Sequence, residues 1–289
     1  MPSKKTQTTA RKTDKLAERV RTAFDAARKG ELQPSAELAQ AGRPVAPYVA
    51  PFVKDASRDV RRQAVAVLGA VGGKAALAPL LKALGDPETD IQEAAATAIF
   101  DGYAPKAVAA EPGAGAALRE AALAGTKSPA VPLLLAYFPG PATVDALEKL
   151  RRRDSEAQTR LRSWSLPVAV SVPVNVALSR LGSGDGRKEL LAMLGKGEQG
   201  ELEFLLDALR EVDSPEVLHA IARTLDDTRP VDNRVPSGVE PRPRLCDVAV
   251  GAFINRLKLR VGFEVNSAGQ YTPEQIEQVR KAIRLAIPQ

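Results

Sequence analysis

The sequence predicts an all-α protein, an α-solenoid of antiparallel helix pairs. Three observations carry this. First, residues 55–69 (DASRDVRRQAVAVLG) and 86–100 (DPETDIQEAAATAIF) share one pattern at an offset of 31 residues, and a fixed period in that range marks a stacked repeat. Second, apolar residues recur at helical spacing from Thr13 onward, and no run alternates convincingly as a strand should. Third, aromatics make up 4% of the 289 residues, while 36 of the 48 alanines fall in residues 1–150. Such a core must come from many small contacts between closely packed helices.

The elements follow in order. Residues 1–12 (MPSKKTQTTARK) are polar and basic and are expected to form a disordered tail. From Thr13, residues Leu16, Val20, Ala23, Phe24 and Ala27 share one helical face, and Gly30 is a stop. Pro34, Pro44 and Pro47 punctuate a short connection, with a helix near Val45–Lys54. The two copies then align Asp55 with Asp86, Asp59 with Asp90, Val60 with Ile91, Ala64 with Ala95 and Leu68 with Ile99. Between them, Gly72–Leu84 is a second apolar-periodic helix, so each unit is helix–turn–helix. Asp86 precedes Pro87, the order expected of an N-cap followed by Pro at the first helical position. Ala64 and Ala95 stand where a larger side chain would push neighbouring helices apart.

Fainter echoes continue the series. Residues 177–194 align with 64–81, matching Leu68 with Leu181 and Leu77 with Leu190. Residues 201–209 form an amphipathic helix, and Ser214-Pro215-Glu216 opens the next. Residues 165–172 (SLPVAVSV) read as an extended connection before a helix near Pro173. In Arg244–Phe253, Leu245, Val248, Ala249 and Ala252 are core-like, and Cys246 reads as a packing residue. Thr272 and Gln275 make a capping box before Ile276, Val279, Ile283 and Ile287. The count is about 14 to 16 helices. The expected division is a tail over 1–12, an Ala-rich sub-array over 13–153 and a second sub-array over 154–289 that contains a long loop, 227–244.

The spacing D-x4-[VI]-[RQ]-x2-A-x3-[LI] resembles the HEAT repeat, in particular the short form also found in phycobilisome-lyase-like proteins. Asp55, Val60, Arg61, Ala64, Leu68 and Gly69 match in the first copy. Asp86, Ile91, Ala95 and Ile99 match in the second, where Gln92 replaces the family's arginine and would interrupt a ladder of Asp–Arg pairs. The resemblance implies a right-handed superhelical stack and a surface for holding a partner, with no particular chemistry attached.

Composition excludes several functions. One Cys cannot form a disulfide within the chain, and one Cys with one His cannot build a zinc site of that ligand type. The paired His-Glu motifs of the HEAT-like iron hydroxylase are excluded likewise. Any Ser-His-Asp or Cys-His mechanism would have to use His219, which reads instead as a partly exposed helix residue. Gly69–Ala75 fails as a phosphate loop, and Arg187 occupies the position of a dinucleotide fingerprint's third glycine. The acids of 198–216 read as a solvated helix face rather than a metal site. No apolar run suits a signal peptide or a membrane span, so a cytoplasmic location is expected.

The net charge of +6 is uneven. Residues 1–31 hold nine basic and four acidic residues, leaving the rest at +1. The densest basic cluster beyond the tail is Arg151, Arg152, Arg153, Arg160 and Arg162. Together with Arg61, Arg62 and the loop residues Arg229, Arg234, Arg242 and Arg244, these are the candidate partner contacts. The expected function is a non-catalytic scaffold or adaptor for a protein partner, without a cofactor. The alternatives are nucleic-acid binding through the tail and the arginine cluster, and a carboxylate–metal enzyme.

Overall fold

A computed structural model describes residues 4–153, 157–161, 166–232, 242–266 and 270–288. The chain divides into two compact units, residues 1–138 and 139–289. The boundary therefore falls before the arginine run rather than after it. Pro139, Gly140 and Pro141 break the chain there, and the next helix, which ends in that run, packs within the second unit.

In the first unit α1 spans Lys4–Ala27. Helix thus begins at Lys4, inside the segment expected to be disordered. The physical reason is simple: no Gly or Pro lies between Pro2 and Gly30, so nothing in the chain stops the helix earlier. Short α2 (Gln33–Ala36) and α3 (Ala46–Val49) follow among 3-10 turns. Pro44, Pro47 and Pro51 each remove a backbone donor, which breaks the Val45–Lys54 segment into short turns. Phe24 of α1 stacks on Phe52 with ring centroids 4.2 Å apart.

The repeats begin with α4 (Arg58–Val71) and α5 (Lys74–Ala83). They are joined by Gly72 (φ 58°) and Gly73 (φ 81°), a turn that L side chains adopt only with strain. Then come α6 (Thr89–Gly102), short α7 (Pro105–Ala109), α8 (Ala114–Leu123) and α9 (Ala130–Leu135). The first helices of successive pairs pack in one row, α4 on α6 and α6 on α9. The second helices, α5 and α8, pack in another. The repeat-matched residues Val60, Ala64, Leu68, Ile91, Ala95 and Ile99 are all fully buried. A Cβ on Gly69 would lie 2.8 Å from Ala98 Cβ, so the missing side chain leaves the room that Ala98 of α6 fills against α4.

One capping expectation is corrected. Helix α6 starts at Thr89 with Glu88 at the N-cap, not at Asp86 and Pro87. Asp86 instead turns the chain: its Oδ1 accepts the Glu88 N–H at 2.9 Å, as Asp55 Oδ1 accepts the Ser57 N–H at 2.9 Å one repeat earlier.

The second unit holds α10 (Pro141–Arg153), α11 (Ser171–Arg180), α12 (Gly184–Lys196), α13 (Gln199–Asp207), α14 (Pro215–Ala222), α15 (Leu245–Leu257) and α16 (Pro273–Ala286). The extended connection contributes β2 (Val168–Ala169), which pairs antiparallel with β1 (Gln158–Thr159). Gly186 lets α12 close on α11, where an added Cβ would sit 2.6 Å from Leu178 Cβ. Ser183, Ser214 and Thr272 each cap the helix they precede through a side-chain oxygen. The Thr272–Gln275 capping box forms as the sequence requires.

Candidate functional site

The candidate arginines separate into structural and exposed groups. Arg61 is structural. Its Nε donates to Asp86 Oδ2 at 2.7 Å and its Nη2 to Asp86 Oδ1 at 3.1 Å, a bidentate pair in which Asp86 is 3% exposed and Arg61 12%. Its Nη1 also donates to Asp55 O at 3.1 Å and Ala56 O at 3.2 Å. One guanidinium therefore ties the turn before α4 to the turn before α6. Gln92 takes the same place one repeat on, donating from Nε2 to Asp86 O at 2.5 Å. It reaches the carbonyl of its own turn but carries no charge, so the ladder of ionic pairs ends there. At the other end Arg28 pairs with Asp55. Burial raises the Asp55 carboxyl pKa, but the Arg28 and Ser57 hydrogen bonds outweigh this and hold it below the usual value.

The loop arginines are held internally as well. Arg229 grips Asp227 at 2.6 Å and Gly197 O at 2.8 Å. Arg242 pairs with Asp232 at 2.6 Å. Arg244 clasps Asp247 at 2.9 Å and Tyr271 O at 2.8 Å. Arg151 bonds Glu148 at 2.6 Å and Asn175 Oδ1 at 3.3 Å. Arg62, Arg152, Arg153 and Arg160 stay exposed. Arg162 and Arg234 lie outside the described residues, as does Trp164. Arg61 and Arg62 belong to the first unit, and Arg151, Arg152, Arg153, Arg160, Arg229, Arg242 and Arg244 to the second.

Other expectations resolve in the second unit. Cys246 is a buried free thiol whose pKa burial, then the Asp247 charge, pushes up, so it is no ready nucleophile. The acids of 198–216 do not form one solvated face. Glu203 and Glu211 are buried, Glu203 accepting from Gln199 Nε2 at 3.0 Å and Glu211 from Arg210 Nε at 2.7 Å. Among the described residues no three His, Cys, Asp or Glu side chains are grouped to hold a metal ion. No helix of the described residues is long and apolar enough to cross a membrane.

What sequence reasoning missed is a cleft of about 840 Å³ formed by α12, α13, α14 and the chain after it. Arg187, Arg223 and Arg229 line it against Glu216 and Asp227. Half-buried His219 lines it too, its Nε2 3.2 Å from Pro288 O; a carbonyl only accepts, so that nitrogen donates. The sequence signal was weak, because these residues are up to about 40 positions apart and belong to four separate elements.

Residues 46–130 match the family model of HEAT repeats. That stretch runs from α3 to the start of α9 and contains both 31-residue copies. It is a HEAT-repeat array. No curated protein matches the chain.

Proposed function

We propose that the protein is a non-catalytic scaffold that holds a protein partner on its helix-pair surfaces. The observation that carries this is the HEAT-repeat array over residues 46–130. Stacked repeats give long ordered surfaces at little cost in flexible loops, which suits binding an extended protein face. On this reading the exposed arginines Arg62, Arg152 and Arg160 contact the partner, while Arg61, Arg229, Arg242 and Arg244 serve the fold. The same reading puts the protein in the cytoplasm, and the single cysteine kept as a buried free thiol supports it.

The test is affinity purification of the full chain from its native lysate, with and without nuclease, at two salt concentrations. A stoichiometric protein that survives nuclease, and is lost with Arg62→Glu or with Arg152→Glu, is the expected result. Recovery of nucleic acid alone, released by salt, would overturn the reading.

A further inference from the structure

We infer that the cleft of the second unit binds a carboxylate joined to an apolar body. Two guanidinium groups there are unused. Arg187 Nε is buried and donates to no acceptor, a state that folded proteins rarely leave uncompensated. Arg223 is exposed at the same cleft, and its guanidinium has no partner among the described residues. By contrast Arg229 is neutralised by Asp227 at 2.6 Å. The charge that remains for a ligand is therefore Arg187 and Arg223 against Glu216 alone.

That balance selects the anion. Three arginines against two carboxylates leave a net charge of +1, which one carboxylate satisfies. A dianionic phosphate would leave excess negative charge beside Glu216. The rest of the wall is apolar: Leu191 and Leu194 of α12 are half-buried there, and Leu202 of α13 closes the floor. The volume is that of a small-molecule site. A carboxylate would bridge Arg187 and Arg223, whose forked donors suit its two oxygens, and its apolar body would lie along the leucines. Two sources share this chemistry, a free apolar acid and the C-terminal residue of a peptide. The inference stands apart from the scaffold reading and survives its failure.

Calorimetric titration of the full chain tests it with three probes: octanoate, inorganic phosphate, and the peptide acetyl-Ala-Leu-Leu with a free C-terminus beside its amide. Octanoate is expected to bind one to one with Kd on the order of 0.1–1 mM. Arg187→Met and Arg223→Gln should each weaken it about tenfold or more. Should Arg187→Met fold poorly, Arg223→Gln at its exposed position still decides. Tighter binding of the free-acid peptide than of octanoate, lost in the amide, assigns the site to chain termini; the reverse order assigns it to free acids. Phosphate saturating the site while octanoate does not, or both variants binding octanoate like the wild type, would overturn the inference.

Discussion

Replacing Arg61 with Met tests whether one guanidinium couples successive repeats. The change keeps the length and apolar stem of the side chain while removing every donor. Asp86, 3% exposed, is then left with the Glu88 N–H but no cation. Breaking a buried ionic pair from one side costs about 3–5 kcal/mol. Arg61 retains 12% exposure, so water reaches part of the site and about 2–3 kcal/mol is expected. Hydrogen exchange suits this assay because the two units need not unfold together. Amides of α4 and α6 should exchange about 30- to 150-fold faster, at 1.4 kcal/mol per tenfold. Arg61→Gln, which copies the residue the next repeat uses, should fall between wild type and Arg61→Met by keeping the Asp55 carbonyl bond. Less than a threefold change in α4 and α6, or an equal change in α11 to α15, would refute the coupling role.

Two further outcomes follow from the packing and the buried acids. Gly69→Ala should cost about 1–2 kcal/mol, the overpacking against Ala98 being partly offset by better helix propensity; adding Ala98→Gly should recover stability in urea unfolding, and strict additivity would sink the steric account. Glu201 has a buried Oε2 without a hydrogen bond, and its pKa is raised by burial and by Glu198 against the opposing Lys196 charge. A raised carboxyl pKa means that the folded state favours the acid, so stability is present below the unfolded value and declines as pH rises through the folded one. Glu201→Gln should then gain on the order of 1 kcal/mol at pH 7 and nothing below about pH 4, read by thermal unfolding across pH; a variant less stable at pH 7 would count against it.

The fold was legible where its physics is local and repeated. A period of 31 residues places Ala64 and Ala95, Leu68 and Ile99, at equivalent depths, and burial follows from periodicity alone. The caps at Ser214 and Thr272 need only the next three residues, and they form as written. The Asp86 cap did not: its Oδ1 accepts the Glu88 N–H two residues on and closes a turn, while a guanidinium 25 residues away in sequence binds both oxygens, and the helix starts only at Thr89. The compact units divide at residues 138 and 139, ahead of the arginine run: a run of charge looks like a linker in sequence, yet Arg151–Arg153 complete the last turn of α10, where cations favour the helix dipole.

The site was less legible because charge counted along a chain says nothing about partners across space. Clustered arginines drew attention, yet Arg229, Arg242 and Arg244 are each matched by an aspartate. Arg187 and Arg223, whose guanidinium groups have no hydrogen-bond or ion-pair partner among the described residues, belong to no arginine cluster in the sequence, one passed over as a failed glycine motif and the other unremarked. Sequence neighbours do not separate the two kinds: Arg229 pairs with Asp227 two residues away, while Arg187 has Asp185 and Glu189 at the same spacing and pairs with neither. An arginine with no acid in reach is left to meet a ligand, and it becomes visible only once folding has brought four elements to one cleft. Here the period is strong in the first unit and faint in the second, and the cleft with Arg187 and Arg223 lies in the second.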